Sequence, residues 1–505
     1  MSDQAPRDIG RTIHAAAVAR LYWQQRGTRA RAMRAVAAAL ESSRADVLSV
    51  ASGETGLTGE ELRAEFERMV RTISMFADLV EEGSWVRAAV DRPVAPPRTP
   101  IGPNHDLRSM LMPLGPVVAV FGASNFPLAY GVCGGDTASA WAAGCSVVVK
   151  EHPGHPRTGR LLAKLAREAV WSAKVNLDVL CYLEDDGGAG HAVAEALVTH
   201  PLVCAVGFTG SIPGGLAIEK LASGRETPIP VYAEMSSVNP VIITRAALEQ
   251  RGPEIARELA ASMLARYGQQ CTCPGVYLVD DDGPAGKAFK RELGALVRAA
   301  APRTMLTGRV REEFERRVRE VSAVPGVSVL AAAQGGAADT QRPTVFIADA
   351  AALRSNDTLI PELFGPAGVL TTAHVLSATP MEIVEHLRGQ LTATIYCGPS
   401  DQEFPELGEL VSQLTGCVGR LIFNGPPTGV RVCTAMVHAG PFPATNRPHT
   451  AVGPLAIERW CRRVCYQNAP AEFLPDELKD SNPLGIGRFE DGVWVGGRST
   501  AAAGS

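Results

Sequence analysis

The sequence lacks the features that would direct a chain of this length to a membrane, a nucleic acid or a disulfide scaffold. No apolar run approaches the roughly 20 residues needed to span a bilayer. Pro113 to Phe126 comes nearest, and glycines and a Ser-Asn pair interrupt it. The opening residues, MSDQAPRDIGRTIHAAAVARLYWQQRG, contain no continuous apolar segment of the secretory kind. Charge of one sign is not in excess: the formal net charge is −4 over 505 residues. That gives no reason to expect nucleic acid or an anionic membrane as partner. The eleven cysteines are thinly spread, show no repeated zinc-type pairing, and predict no metal centre. Reduced thiols in the cytoplasm are the simplest reading. Internal repeats and low-complexity domains are missing too.

What is present is a globular composition, 46% hydrophobic and 20% charged, in a chain long enough for two or three domains. Residues 10 to 90 have helical periodicity, clearest over Arg29 to Leu40 and Glu60 to Val80. Residues 91 to 105 are proline-rich and predict a linker or an extended crossing. From residue 115 strands alternate with helices. The strands are Val117 to Phe121, Ser146 to Lys150, Val179 to Leu183, Ala205 to Phe208 and Pro230 to Ala233. Helices are expected over Pro127 to Ala143, Thr158 to Val170, His191 to Thr199 and Gly214 to Ala222. This is the pattern of a doubly wound α/β sheet, whose ligands bind beyond the carboxyl ends of the strands. A second alternating series follows: a helix over Arg257 to Arg266, strands at Gly275 to Val279, Thr344 to Ile347 and Thr392 to Tyr396, and a helix over Ala285 to Ala300. The tail from about residue 440 is rich in Pro, Gly and Asn and predicts an arm.

Five segments could carry chemistry. In Gly268-Gln269-Gln270-Cys271-Thr272 a thiol lies between a helix end and a Pro-Gly turn; a thiolate there could attack a carbonyl. Glu234 ends an apolar strand. Phe208-Thr209-Gly210-Ser211-Ile212-Pro213-Gly214-Gly215 opens a helix after a strand, where free N–H groups favour a pyrophosphate. Asn125, in Gly122-Ala123-Ser124-Asn125, has an amide that could hold an oxyanion. Lys150 ends a strand and could reach a ribose or phosphate. Taken singly each has an ordinary explanation: a packed thiol, a solvated carboxylate or lysine, a helix cap, a turn.

In order, the segments closely resemble the aldehyde dehydrogenase superfamily. The resemblance rests on GPVVAVFGASNFPLAYGVCGGDTASAWAAGCSVVVKEHPGHP, AVGFTGSIPGG, PVYAEMSSVNP, GQQCTCPG, PELFGP and RLIFNGPPTGVRVCTAMVHAGPFPAT. More narrowly it is to NADP-type aldehyde dehydrogenases and α-ketoglutaric semialdehyde (2,5-dioxopentanoate) dehydrogenases. It implies a helical N-terminus with a Rossmann-type cofactor domain over 1–234, including a linker or arm strand at 91–114. A second α/β catalytic domain over 235–440 and a C-terminal oligomerisation arm over 441–505 complete the expected fold. It implies Cys271 as nucleophile, Glu234 as general base and Asn125 in the oxyanion hole. Lys150, Gly210, Ser211, Gly215, Glu362 and Phe364 would meet the dinucleotide, Glu362 at the nicotinamide ribose and Phe364 beside the ring. The partners implied are a small aldehyde and further copies of the chain, as a homodimer or homotetramer. Pro153 stands where NAD-specific relatives carry a ribose-binding Glu, which favours NADP with NAD tolerated; the acidic stretch 184–190 opposes it. A broad or long-chain aldehyde dehydrogenase, a CoA-acylating enzyme and a non-catalytic member are the alternatives. For a semialdehyde acid, Arg266 and Arg447 are the candidate cations by position. Gln270 predicts a more polar pocket beside the thiol, and Cys273 either a redox partnership with Cys271 or, more simply, a packing role.

Overall fold

The computed structural model describes residues 4–93, 104–185, 190–280, 283–359, 361–373, 378–403 and 405–497. Most of the proline-rich stretch, part of the acidic 184–190 segment and the last residues of the tail lie outside them.

Runs of branched apolar residues make the first sheet. Strands β1 (Val117–Phe121), β2 (Ser146–Lys150), β3 (Leu180–Leu183), β4 (Val203–Thr209) and β5 (Val231–Glu234) are ordered β3-β2-β1-β4-β5 and all parallel. Every residue of β1 is buried, as a central strand covered on both faces requires. The second sheet holds β6 (Val241–Ile243), β7 (Val276–Val279), β8 (Val327–Ala332), β9 (Thr344–Ala348), β10 (Ala367–Thr372), β11 (Gln390–Tyr396) and β12 (Val418–Phe423). Its order is β8-β9-β10-β7-β6-β11-β12, parallel except for β8 against β9. In a third sheet Cys461–Gln467 lies antiparallel on Leu107–Pro113, beside Ala89–Asp91, Arg488–Glu490 and Val493–Val495. The architecture is doubly wound α/β, with two parallel sheets meeting at the β5-to-β6 crossing. No helix among the described residues is long and apolar enough to cross a membrane.

Two helices differ from expectation. The one expected over Pro127 to Ala143 runs only over Gly135–Ala143. Its first half is a tight turn in which a Cβ on Gly131 would lie 1.9 Å from the Pro127 carbonyl oxygen. The helix expected over Arg257 to Arg266 runs over Arg245–Leu264. It stops there because Arg266, Tyr267 and Gly268 take φ of +46°, +58° and +68°, which no right-handed helix contains.

Candidate active site

The left-handed run delivers Cys271 into the cleft between the two parallel sheets. Gly268 is required, since a Cβ there would lie 2.1 Å from the Gly365 carbonyl oxygen. The same close approach brings the loop carrying Glu362 and Phe364 against the thiol segment. Asn239, fully buried at the crossing between the sheets, holds the segment from below. Its Nδ2 donates to the carbonyls of Cys271 (2.8 Å) and Cys273 (2.9 Å). Cys273 turns away into the core with Tyr277 and Met263, so it packs. Gln270 is buried and donates to the carbonyls of Ser262 (3.4 Å) and Ala265 (3.2 Å). Its amide is spent on backbone, and the more polar pocket expected from it does not follow.

Glu234 ends β5 at the carboxyl edge, where parallel sheets place reactive groups. It is 3% exposed. His438, a residue the sequence reading passed over, lies between it and the thiol. Its Nε2 is 3.1 Å from Glu234 Oε1 and 3.5 Å from Cys271 Sγ. The chain comes back to β5 to put it there: Met235 N donates to the Ala444 carbonyl at 2.8 Å, and Thr445 bridges Glu234. His438 sits inside the VCTAMVHAGPFPAT string, at the very end of the 235–440 segment expected to form the catalytic domain. Three other histidines have partners of their own: His152 and His155 stack on each other at 4.8 Å, and His200 meets His14.

Burial, then the neighbouring Glu234 carboxylate, pushes the Cys271 thiol well above its usual value. Burial also opposes ionisation of Glu234, but His438 and the thiol as donors hold its pKa below the ordinary range. The resting pair is therefore a thiol beside a carboxylate. Glu234 Oε2 is buried with no hydrogen-bond partner.

Asn125 is buried in the loop after β1, and its Nδ2 donates to the Gln269 carbonyl at 3.0 Å. An amide nitrogen has two donors, so one anchors the group two residues from the thiol and one is left. A buried ion pair fixes this arrangement. Arg266 Nη2 reaches Glu65 Oε2 (2.7 Å) and the Asn125 carbonyl (2.6 Å). Glu65 Oε1 accepts from Leu128 N (2.7 Å) and Ala129 N (3.0 Å). Glu65 and Arg68 lie three residues apart, on one face of the Gly59–Glu82 helix. That helix starts at a Thr58/Glu61 capping box.

The expected carboxylate-binding cations are not where position suggested. Arg266 is locked to Glu65, and Arg447 pairs with Glu219 at 3.0 Å and the Val231 carbonyl at 3.1 Å. Two other guanidiniums, Arg68 and Arg420, are ones that a Cys271 thiolate would help to keep charged. Arg68 donates to Tyr130 Oη at 2.8 Å, and the Tyr130 ring lies 6.3 Å from that of His438. Arg420, on β12, donates to the Pro427 (2.6 Å) and Gly429 (2.9 Å) carbonyls, and its Nε is buried without a partner. Among the described residues neither has a carboxylate within ion-pair distance.

A dinucleotide fits the adjoining edge of the first sheet. Ser211 caps the Ile212–Ser223 helix by accepting from Gly214 N at 3.3 Å. Cβ atoms on Gly210 and Gly215 would lie 2.7 Å from the Phe208 ring and from Met235 Sδ. Only glycine lets the helix start sit this low on the sheet, where a pyrophosphate would meet its N–H groups. Glu362, half-buried, accepts from Ser236 Oγ at 2.9 Å, and burial raises its pKa to about 8. Phe364 is half-buried in the same loop. Lys150 Nζ is 2.6 Å from Asp185 Oδ2, so its ammonium already has an anionic partner.

The profile of the aldehyde dehydrogenase family matches residues 1–303. The chain is 42% identical over 473 residues to alpha-ketoglutaric semialdehyde dehydrogenase 2 of Azospirillum brasilense, covering 92% of this chain and 88% of that one. It is 42% identical over 461 residues to alpha-ketoglutaric semialdehyde dehydrogenase of Acinetobacter baylyi, covering 91% and 85%. The fold superposes, with TM-score 0.76 and 18% identity, on glyceraldehyde-3-phosphate dehydrogenase GapN from Methanocaldococcus jannaschii complexed with NADP, covering 92% of this chain and 95% of that one. By its profile, by its relatives and by its fold, this chain belongs to the aldehyde dehydrogenase family, whose members oxidise aldehydes to acids with a nicotinamide dinucleotide.

Proposed function

We propose that the aldehyde oxidised by this enzyme carries a carboxylate at its far end, and that it is 2,5-dioxopentanoate (α-ketoglutaric semialdehyde). The observation that supports the reading is the pair of guanidiniums, Arg68 and Arg420, each within electrostatic reach of Cys271 and, among the described residues, without a carboxylate at ion-pair distance. Cations left unpaired in a half-buried cleft are an anion site in waiting. The two relatives named for this substrate support it. Neutralising either arginine (Arg68→Met, Arg420→Met) should raise KM for 2,5-dioxopentanoate by about 10- to 100-fold, the value of a charge-assisted hydrogen bond. Neutral aldehydes of similar length should be little affected. An equal loss on both would leave the arginines with a structural role and return the choice to long-chain or broad aldehydes.

In the chemistry we propose, Cys271 gives its proton to Glu234 as sulfur adds to the aldehyde carbon. The second N–H of Asn125 Nδ2 and the Cys271 backbone N–H hold the oxyanion. The bound dinucleotide supplies the hydride acceptor. Glu234 returns its first proton to solvent, then takes one from a water as that water adds to the thioester; the sulfur leaves and takes that second proton back from Glu234, and the acid departs. His438, donating to Glu234, orients this base. A carboxylate beside the thiol favours water over CoA as acyl acceptor.

Either dinucleotide suits the helix start, and Asp185 bears on the choice. The sequence argument for NADP was the missing Glu at Pro153. Asp185, however, occupies Lys150, and a 2′-phosphate drawn to that ammonium would share it with a carboxylate. At about 5 Å and an effective dielectric near 20, two like charges cost about 3 kcal/mol. Asp185→Asn should therefore raise kcat/KM for NADP relative to NAD by about tenfold or more. An unchanged ratio would remove Asp185 from cofactor selection.

Assembly as a homodimer or homotetramer belongs to the same reading. The edge strand Val493–Val495 leaves Trp494 half-exposed between two exposed valines, the kind of edge a second copy would cover. All eleven cysteines are free thiols, which suits a reducing cytoplasm.

A further inference from the structure

The thiol, the imidazole and the carboxylate form a cluster that does more than explain oxidation. Their ligand atoms, Cys271 Sγ, His438 Nε2 and a Glu234 oxygen, all lie within 4.8 Å of one another. Zinc bonds of about 2.3 Å to sulfur and about 2.0–2.1 Å to nitrogen or oxygen set the edges of a tetrahedron at about 3.5 Å (S to N) and about 3.3 Å (N to O). The protein already holds these edges at 3.5 Å and 3.1 Å. A second observation points the same way. Glu234, 3% exposed, keeps Oε2 buried without any partner, and an unsatisfied buried carboxylate oxygen is rare unless something comes to meet it. Cys271 remains partly exposed, so an ion has a way in.

The geometry points to a reversible, inhibitory zinc site made by Cys271, His438 and Glu234, with water or a small anion as the fourth ligand. Thiolate and carboxylate together balance the two charges of the ion. On binding, the S–H bond breaks and a Zn–S bond forms, and the thiol proton passes to solvent. His438 binds through Nε2, its proton moving to Nδ1. No oxidant or reductant is involved. The guanidiniums of Arg68 and Arg420 oppose a bare cation and favour an anionic fourth ligand such as chloride or hydroxide. Sulfur held by zinc cannot attack an aldehyde, and a carboxylate on zinc cannot take its proton. The metal and the reaction are therefore mutually exclusive. The sequence showed no zinc spacing because the three ligands come from segments far apart in the chain.

The test is metal binding by the full-length, reduced protein with neither aldehyde nor dinucleotide present. Titration with zinc should show one site per chain, protect one thiol from alkylation and reverse with a chelator. Cobalt in place of zinc should give a thiolate-to-cobalt charge-transfer band and the d–d spectrum of a tetrahedral ion. His438→Asn should weaken zinc by about 100-fold or more, and Cys271→Ala should abolish the charge-transfer band. If H438N, folded by circular dichroism, binds zinc as the parent does, or if the band survives in C271A, the metal sits on other thiols and the inference falls. Absence of any band in the parent overturns it directly. Because the readout needs no turnover, these outcomes are independent of which aldehyde the enzyme oxidises.

Discussion

Replacing Cys271 with alanine should lower kcat by about 10⁴-fold or more, the scale seen when a covalent nucleophile is removed, while dinucleotide affinity stays as it was. The two halves are separable because they live on different elements. The thiol hangs from the β7 side of the cleft, held by Asn239. The residues proposed to meet the dinucleotide lie around β2, the start of the Ile212–Ser223 helix and the Glu362 loop. Single-turnover kinetics and titration of protein fluorescence with the reduced cofactor would read each. Normal turnover in C271A would sink the assignment of the nucleophile. The parent enzyme should also gain rate as pH rises into the alkaline range. Its thiol pKa is held above the usual value, first by burial and then by Glu234, so the protonated form dominates at low pH and the reactive form grows with alkalinity.

The second large effect lies away from the thiol. Glu65→Ala removes the partner of a buried guanidinium and the acceptor for two amides at once. Breaking a buried ion pair from one side costs about 3–5 kcal/mol, so the denaturant midpoint should fall well below that of the parent. Activity should fall more than stability alone explains, because Arg266 also holds the Asn125 carbonyl, and Asn125 drifts when that clamp is gone. Glu65→Gln, which keeps an acceptor for the amides, should recover part of the stability. If E65A matched the parent in unfolding midpoint and kcat, the clamp would have no role.

The strands were readable because their physics is local. Val117–Phe121 and Ser146–Lys150 are continuous branched apolar runs, and such a run can only be a covered strand. The Pro127–Ala143 helix misled because small residues permit a helix without requiring one; Gly131 and Gly134 are needed for a turn whose partner atoms are backbone. The stop at Leu264 was hidden because Arg266 and Tyr267 rarely take a positive φ, and tertiary partners, among them Glu65, Asn125 and Gln341, hold them there. Cys271, Glu234 and Asn125 drew notice because each sits at an element boundary. His438, Arg68 and Arg420 did not, since a histidine in a Pro/Gly-rich segment, an arginine on an amphipathic helix and another on an edge strand look ordinary. Their place beside the thiol is a property of the fold.

The return of the chain to β5 has a consequence for the order of events during synthesis. Glu234 and His438 are 204 residues apart, and Met235 finds its backbone partner only at Ala444. A nascent chain that has reached the end of β12 has made its nucleophile but not the imidazole that orients the base. Until the following residues emerge and dock, Cys271 is one of the eight thiols already made, and Glu234 lacks His438 and the backbone return at Ala444. The environment of Glu234 is therefore completed only once residues 438 to 445 have been made, late in synthesis of the chain.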